Sequence, residues 1–201
     1  MKLALFDFDE TLIQENSLSC LFKTVSGKDA LFPDVFSLAF NWRTYKNGIK
    51  YSIRNRLYAR CLKGVSEDSI IKAGESAAQV LHPLEAVVEQ LKQLKAQNYT
   101  IWIVTATPTL FVKAIAQQWD WPVDLVVGTE LYQTEGIYTG KFDLECMKQE
   151  KVRRVNEVIA EIQIKPSIEI AYGNLPVDIP MLEMATKKRY AVKGKQFFLY
   201  K

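Results

Sequence analysis

The chain has 201 residues, 48% hydrophobic and 24% charged, with a net charge of +3. That suffices for one well-buried domain with a small insert, and it excludes a wholly disordered chain and an electrostatic case for nucleic acid. Three scattered cysteines (Cys20, Cys61, Cys146) and a single histidine, His82, exclude a disulfide framework and a zinc cluster, and argue for a reducing, cytoplasmic setting. The first apolar run stops at Asp7, too early for a secretory signal, and no stretch of about 18 apolar residues exists to cross a membrane.

In chain order, "KLALFDF" reads as a short buried strand that ends at acids. From about Gln14 to Leu81 the pattern is helical. "YSIRNRLYARCLKG" sets Ile53, Leu57, Tyr58, Cys61 and Leu62 on one face with Gly64 as a stop, and "EDSIIKAGESAAQVL" follows with Ile70, Ile71, Ala77, Ala78 and Leu81. Pro83 suits a first helical turn, before Leu84, Val87, Val88, Leu91 and Leu94 at helix spacing. A strand is expected over Thr100–Val104, a helix over Pro108–Trp119, and a strand over Val123–Gly128. "ELYQTEGIYTGKF" reads as a hairpin turning at Glu135-Gly136, and Val152, Val155, Val158, Ile159 and Ile162 form a helical stripe. "SIEIAYGN" and "RYAV" complete the strands. This alternation predicts an α/β fold with a doubly wound parallel sheet, interrupted over 14–82 by a helical insert. The core then comprises 1–13 and 83–201.

Ligands of such sheets bind at the carboxyl ends of the strands. Three of those ends are polar here: Asp7 and Asp9, Thr105, and Asn174 with Asp178. Alternation sends residues i and i+2 to one side, so Asp7 and Asp9 can share a site if the chain bends past the strand. Glu10 reads as an exposed loop residue, and Thr107 as a cap for the helix that begins at Pro108. His82 reads as a turn at the hinge between insert and core, Trp102 as core, and Arg153 and Arg154 as solvent-facing.

"DFDETL", "VTAT", Lys151 and "GNLPVDIPML" together resemble the haloacid dehalogenase (HAD) superfamily of phosphotransferases, in the family's order and across nearly the whole chain. The resemblance implies a magnesium-dependent phosphatase that hydrolyses a phosphomonoester. Asp7 would attack phosphorus to give an aspartyl phosphate, Asp9 would serve as general acid and then base, and Thr11 would brace the turn. Thr105, Ala106 and Lys151 would bind the phosphate. Mg2+ would sit among Asp7, the Asp9 carbonyl, Asn174 and Asp178. The family's fourth motif usually reads Gly-Asp-x-x-x-Asp; Asn174 departs from it, which implies weaker magnesium binding. A phosphate-binding protein without catalysis, or a phosphotransferase of the same fold, are the alternatives.

Residues 35–66 hold seven bases and no acid. Residues 14–82 carry 10 basic and 6 acidic side chains, hence +4, against 16 and 17, hence −1, for the rest. A helical insert at this place matches the family's C1 cap. Its charge, interleaved with Phe40, Trp42, Tyr45, Tyr51 and Tyr58, suits a small anionic substrate or a phospholipid head group. Among capped members the chain resembles the phosphoserine phosphatase-like branch, subfamily IB. It departs from phosphoserine-specific members in having Asn16 where they place a glutamate, with Glu15 one residue early, and Ala106-Thr107 in place of Gly-Gly. Relatives acting on other phosphomonoesters, including phosphatidylglycerophosphate, match more closely.

Overall fold

The computed structural model describes residues 1–27, 49–163 and 165–201, with side chains for 49–53 excepted. Phe40, Trp42, Arg43, Tyr45 and Lys46, and the side chains of Lys50, Tyr51 and Ile53, therefore lie outside the described residues. Strand β1 (Lys2–Phe6) is central in a six-stranded sheet with β2 (Thr100–Pro108), β3 (Leu125–Thr129), β6 (Ser167–Asn174), β7 (Lys188–Lys193) and β8 (Gln196–Leu199), ordered β3-β2-β1-β6-β7-β8. All neighbours pair in parallel except β7 and β8, which form an antiparallel edge. The sequence pattern had pointed only to "RYAV" there. β8 is short and mostly exposed, so alternation in it is weak.

Alternation divides the core between the two faces of the sheet. Ala4, Phe6, Ile101, Ile103 and Tyr172 point to one face, where α4 (Glu85–Ala96) and α5 (Thr109–Gln118) cover them. Leu3, Leu5, Trp102, Val104 and Ala171 point to the other, against Val155 of α6 (Gln149–Glu161) and Met181 and Leu182 of α7 (Ile179–Leu182). This is the doubly wound α/β arrangement expected, with Trp102 in the core. The α6 stripe is narrower than its periodicity suggests: Val155 is buried, Val152, Val158 and Ile159 are half-buried, and Ile162 is exposed because it lies past the helix end. Pro83 is not in the first turn of α4. It pairs with Ile13 in an antiparallel bridge, and Leu84 caps a helix that starts at Glu85.

That bridge closes the neck of the insert: Gln14 N donates to His82 O, and Leu84 N to Leu12 O. Glu15 reinforces it, accepting from His82 N and contacting the imidazole Nδ1 at 2.5 Å. Glu15 is thus spent at the neck and does not enter the site. The described insert contains α1 (Ser17–Ser26), α2 (Ile49–Cys61) and α3 (Glu67–Ala77), and α1 and α3 share the hydrophobic cluster of the core. Gly74 permits the close approach of α3 to α5, since a Cβ there would lie 2.7 Å from both Ala114 Cβ and Phe111 O. Gly74→Ala is expected to destabilise by about 1–3 kcal/mol despite Ala's better helix propensity, because backbone in α5 cannot yield. Thermal unfolding checks this; an unchanged or raised midpoint contradicts it.

Strands β4 (Leu131–Thr134) and β5 (Ile137–Phe142) form the expected hairpin. Its turn residues Glu135 and Gly136 both have positive φ, 52° and 76°, the pattern of a type I′ turn. The hairpin stands apart from the main sheet and reaches the insert, where Tyr138 N donates to Val65 O and Gly64 N to Tyr138 O.

Candidate active site

Beyond β1 the chain keeps its register for one residue, with Asp7 N donating to Tyr172 O, and then turns tightly. Leu12 N and Thr11 N both donate to Phe8 O, with Glu10 at φ 57° and exposed. The turn brings Asp7 and Asp9 to the end of the sheet while Phe8 and Leu12 anchor it in the core. Asp7 is 5% exposed and held on both oxygens: Thr11 Oγ1 donates to Oδ2 at 2.8 Å, and Lys151 Nζ to Oδ1 at 2.6 Å. Lys151, buried near the start of α6, also pairs with Asp178 Oδ1 at 2.7 Å, whereas Lys148, three residues earlier, is exposed. Burial disfavours the charged ammonium, but Asp7 and Asp178 overcome it and hold its pKa well above the ordinary lysine value.

Asp9 sits in a different environment. Its Oδ1 accepts from Ser17 N at 2.7 Å, at the first turn of α1, and its Oδ2 from Thr107 Oγ1 at 2.8 Å. Ser17 Oγ and Thr107 Oγ1 share a further bond of 3.1 Å. Burial pushes the Asp9 carboxyl up to about 6, with the Asp7 charge adding to it and the bonds from Ser17 and Thr107 opposing it. Two neighbouring carboxylates are thereby differentiated: one clamped by a cation, the other poised near neutrality.

Thr107 is therefore not the helix cap expected. Pro108 occupies the cap position of α5 without a side-chain bond, and the Thr107 hydroxyl serves Asp9 instead. Thr105 is fully buried, its Oγ1 accepting from Thr107 N at 3.1 Å; Ala106 is partly buried, its carbonyl accepting from Thr129. At the end of β6, Asn174 Nδ2 lies 3.3 Å from Asp9 O, and Asp178 Oδ2 accepts from Asn174 N. Burial, and then the charge of Asp7, raise the Asp178 carboxyl above the ordinary range, with Lys151 opposing. The adjacent strands β1, β2 and β6 so bring Asp7, Asp9, Thr105, Asn174 and Asp178 to one end of the sheet, where α6 adds Lys151. Sequence reasoning had not marked Ser17 or Glu145, and had counted Arg54 only among the seven bases of the insert. Ser17 carried one faint signal, its place at a helix start, where backbone N–H groups attract a carboxylate.

Among the described residues the strand ends gather three buried or partly buried carboxylates, two of them paired with the one buried ammonium of Lys151, an excess of negative charge that suits a divalent cation. Among the described residues no three His, Cys, Asp or Glu side chains form an all-protein metal cage. Magnesium does not ask for one: it takes one or two carboxylates and fills its octahedron with water and substrate oxygens. Asp7, the Asp9 carbonyl and the 174–178 loop fit that donor set. As oriented, the Asn174 amide nitrogen rather than its oxygen faces the Asp9 carbonyl, and an amide flip reverses this.

The family model for haloacid dehalogenase-like hydrolases matches residues 4–183. The phosphoserine phosphatase of Methanocaldococcus jannaschii is 25% identical over 188 residues, covering 93% of this chain and 83% of that protein. A Bordetella pertussis Tohama I protein of unknown function has a similar structure, with a TM-score of 0.72 at 21% identity, 90% of this chain and 86% of that one being covered. A phospho-aspartyl intermediate analogue of phosphoserine phosphatase has a TM-score of 0.58 at 24% identity, over 92% of this chain and 83% of that one. The chain belongs to the haloacid dehalogenase-like hydrolase family. No described helix is long and apolar enough to cross a membrane.

Proposed function

We propose that the protein is a magnesium-dependent phosphomonoester hydrolase that works through an aspartyl phosphate on Asp7. The observation that carries this is the division of labour between Asp7, held by Lys151 and Thr11, and Asp9, whose carboxyl titrates near 6. An Asp7 oxygen attacks phosphorus and the bond from phosphorus to the alcohol oxygen breaks. Asp9 gives its proton to the departing oxygen. Asp9 then takes a proton from water, which attacks the acyl phosphate and releases inorganic phosphate with Asp7 restored. Lys151 and the Thr105 hydroxyl steady the transferring group, beside the Ala106 backbone. Magnesium, when bound, would be held by Asp7, the Asp9 carbonyl, Asn174 and Asp178, and supplies positive charge opposite the phosphoryl oxygens. A phospho-aspartyl analogue in a structurally similar phosphatase supports the intermediate.

Asn174→Asp is expected to lower the magnesium concentration that gives half-maximal activity, by about tenfold, since a carboxylate replaces a neutral amide. An unchanged half-saturation point shows that this side chain does not contribute to metal binding. The uncharged Asn174 also supports a second reading, a phosphate-binding protein with weak or no turnover; a phosphomonoester panel with and without magnesium separates the two. We assign residues 14–82 as a cap over the site, on the closed neck at Ile13–Pro83 and the hairpin contact. Its positive charge supports an anionic substrate, a free phosphometabolite or a phospholipid head group, distinguished by assaying soluble and vesicle-borne substrates side by side. A cytoplasmic location agrees with three cysteines that form no disulfide.

A further inference from the structure

Glu145 lies between the hairpin and α6, is 6% exposed, and has only one oxygen engaged: Arg54 Nη1 donates to Oε2 at 2.7 Å. Its Oε1 is buried and, among the described residues, has no hydrogen-bond partner; the same holds for the hydroxyl of Tyr58, a residue with 0% exposure. Arg54 and Tyr58 are one turn apart on α2 and so lie on one face. That face is pressed against β5, where a Cβ on Gly140 would lie 2.8 Å from Ala59 Cα. The Tyr58 ring is wedged between Phe22 and Phe142, at 5.2 and 4.4 Å between centroids, which fixes where its hydroxyl points. Burial, the charge of Glu145 and, more weakly, that of Asp9 raise the Tyr58 phenol well above its ordinary range, so it remains a neutral donor and acceptor. Buried polar atoms are almost always satisfied, and each one left bare costs about 1–3 kcal/mol. Two of them, joined through Arg54, which lies one turn from Tyr58 and bonds Glu145, and through Phe142, which packs on the Tyr58 ring three residues before Glu145, mark a place for a polar group.

Chemistry narrows that group. Arg54 already offsets the charge of Glu145, which weakens the case for an ammonium, and the open carboxylate oxygen repels an anion. A hydroxyl has the chemistry that both atoms lack, a proton for Glu145 Oε1 and a lone pair for the Tyr58 proton. Asp9 is bonded to the start of α1 at Ser17, and Phe22 of the same helix packs on Tyr58, so an alcohol protonated by Asp9 would leave beside the helices that carry this pair; the inference rests on the phosphatase reading above. We propose that Tyr58 and Glu145 form a subsite for a hydroxyl on the alcohol moiety, so that the protein selects phosphomonoesters of polyols over those of simple alkanols.

The test is isothermal titration of glycerol 1-phosphate and propyl phosphate into the Asp7→Asn protein with magnesium, where no turnover intervenes. Glycerol 1-phosphate is expected to bind about tenfold more tightly, one buried hydrogen-bonded group being worth that much. Adding Tyr58→Phe should bring the ratio close to one, leave propyl phosphate affinity unchanged, and leave the unfolding midpoint equal or higher. Equal affinities with Tyr58 present, as when water alone fills the gap, overturn the proposal; so does a preference that survives Tyr58→Phe, or failure to bind either ester while inorganic phosphate binds. The same ratio read in the wild-type protein, as competition against p-nitrophenyl phosphate, is the second measure. If the wild type turns over nothing yet the binding preference is present, the phosphatase reading fails and the subsite stands.

Discussion

Asparagine in place of Asp7 is expected to cut magnesium-dependent hydrolysis of p-nitrophenyl phosphate by about ten-thousandfold or more, because it removes the proposed nucleophile. The fold should survive: Lys151 keeps Asp178, and an amide fits where the carboxylate stood. Asp9→Asn gives the contrasting result. General acid catalysis contributes about a hundredfold to ten-thousandfold, and it matters most when the leaving oxygen is a poor leaving group. In the first turnover the Asp9 variant should therefore release alkanol from alkyl phosphates very slowly yet still give a burst of p-nitrophenolate from the activated ester. Steady-state turnover should fall on both, because Asp9 also activates the water. Comparable losses in the first-turnover rate on both esters would mean that Asp9 is not the proton donor. Wild-type and Asp7→Asn proteins with equal background rates across a broad panel would remove the enzyme from the account.

The second large effect is on stability. Lys151→Met removes the one described ammonium between Asp7 and Asp178 and leaves two carboxylates buried against each other. Breaking a buried pair in this way costs about 3–5 kcal/mol. For a chain of this size that lowers the thermal midpoint by roughly 6–20 °C. The dependence on pH follows from Asp178, whose carboxyl is already pushed up in the folded state by burial and by Asp7. A raised folded pKa means that the native state holds its proton more tightly than the unfolded chain does. Stability therefore recovers as pH falls and is lost as it rises. A Lys151→Met protein that melts with the wild type at neutral pH would show that the ion cluster contributes nothing to the fold.

The frame of the site was legible in the sequence because it lies on strand ends, where a buried run of fixed period stops abruptly at polar residues. "KLALF" followed by Asp7, and "SIEIAYG" followed by Asn174, needed no knowledge of the remainder of the chain. Lys151 was legible only through its order among the other motifs; its burial follows from the packing of α6 and leaves no local trace. Thr107 was misread because capping is a local rule, and the nearby Asp9 carboxylate, 98 residues away in sequence, outcompetes it. Ser17 reaches Asp9 from α1, and Arg54 and Tyr58 of α2 meet the segment around Glu145 before α6, so no spacing in the chain could have joined them. β8 escaped notice because an exposed edge strand need not alternate.

The most direct measurement is chemical. Incubate the wild-type protein with magnesium and a phosphomonoester, quench in acid at early times, and locate any added phosphoryl group by peptide mass spectrometry. One acid-stable, hydroxylamine-labile phosphoryl group on the peptide containing Asp7, absent in Asp7→Asn, is the predicted result. Turnover of the ester with no such adduct, or with the label on another residue, contradicts the account.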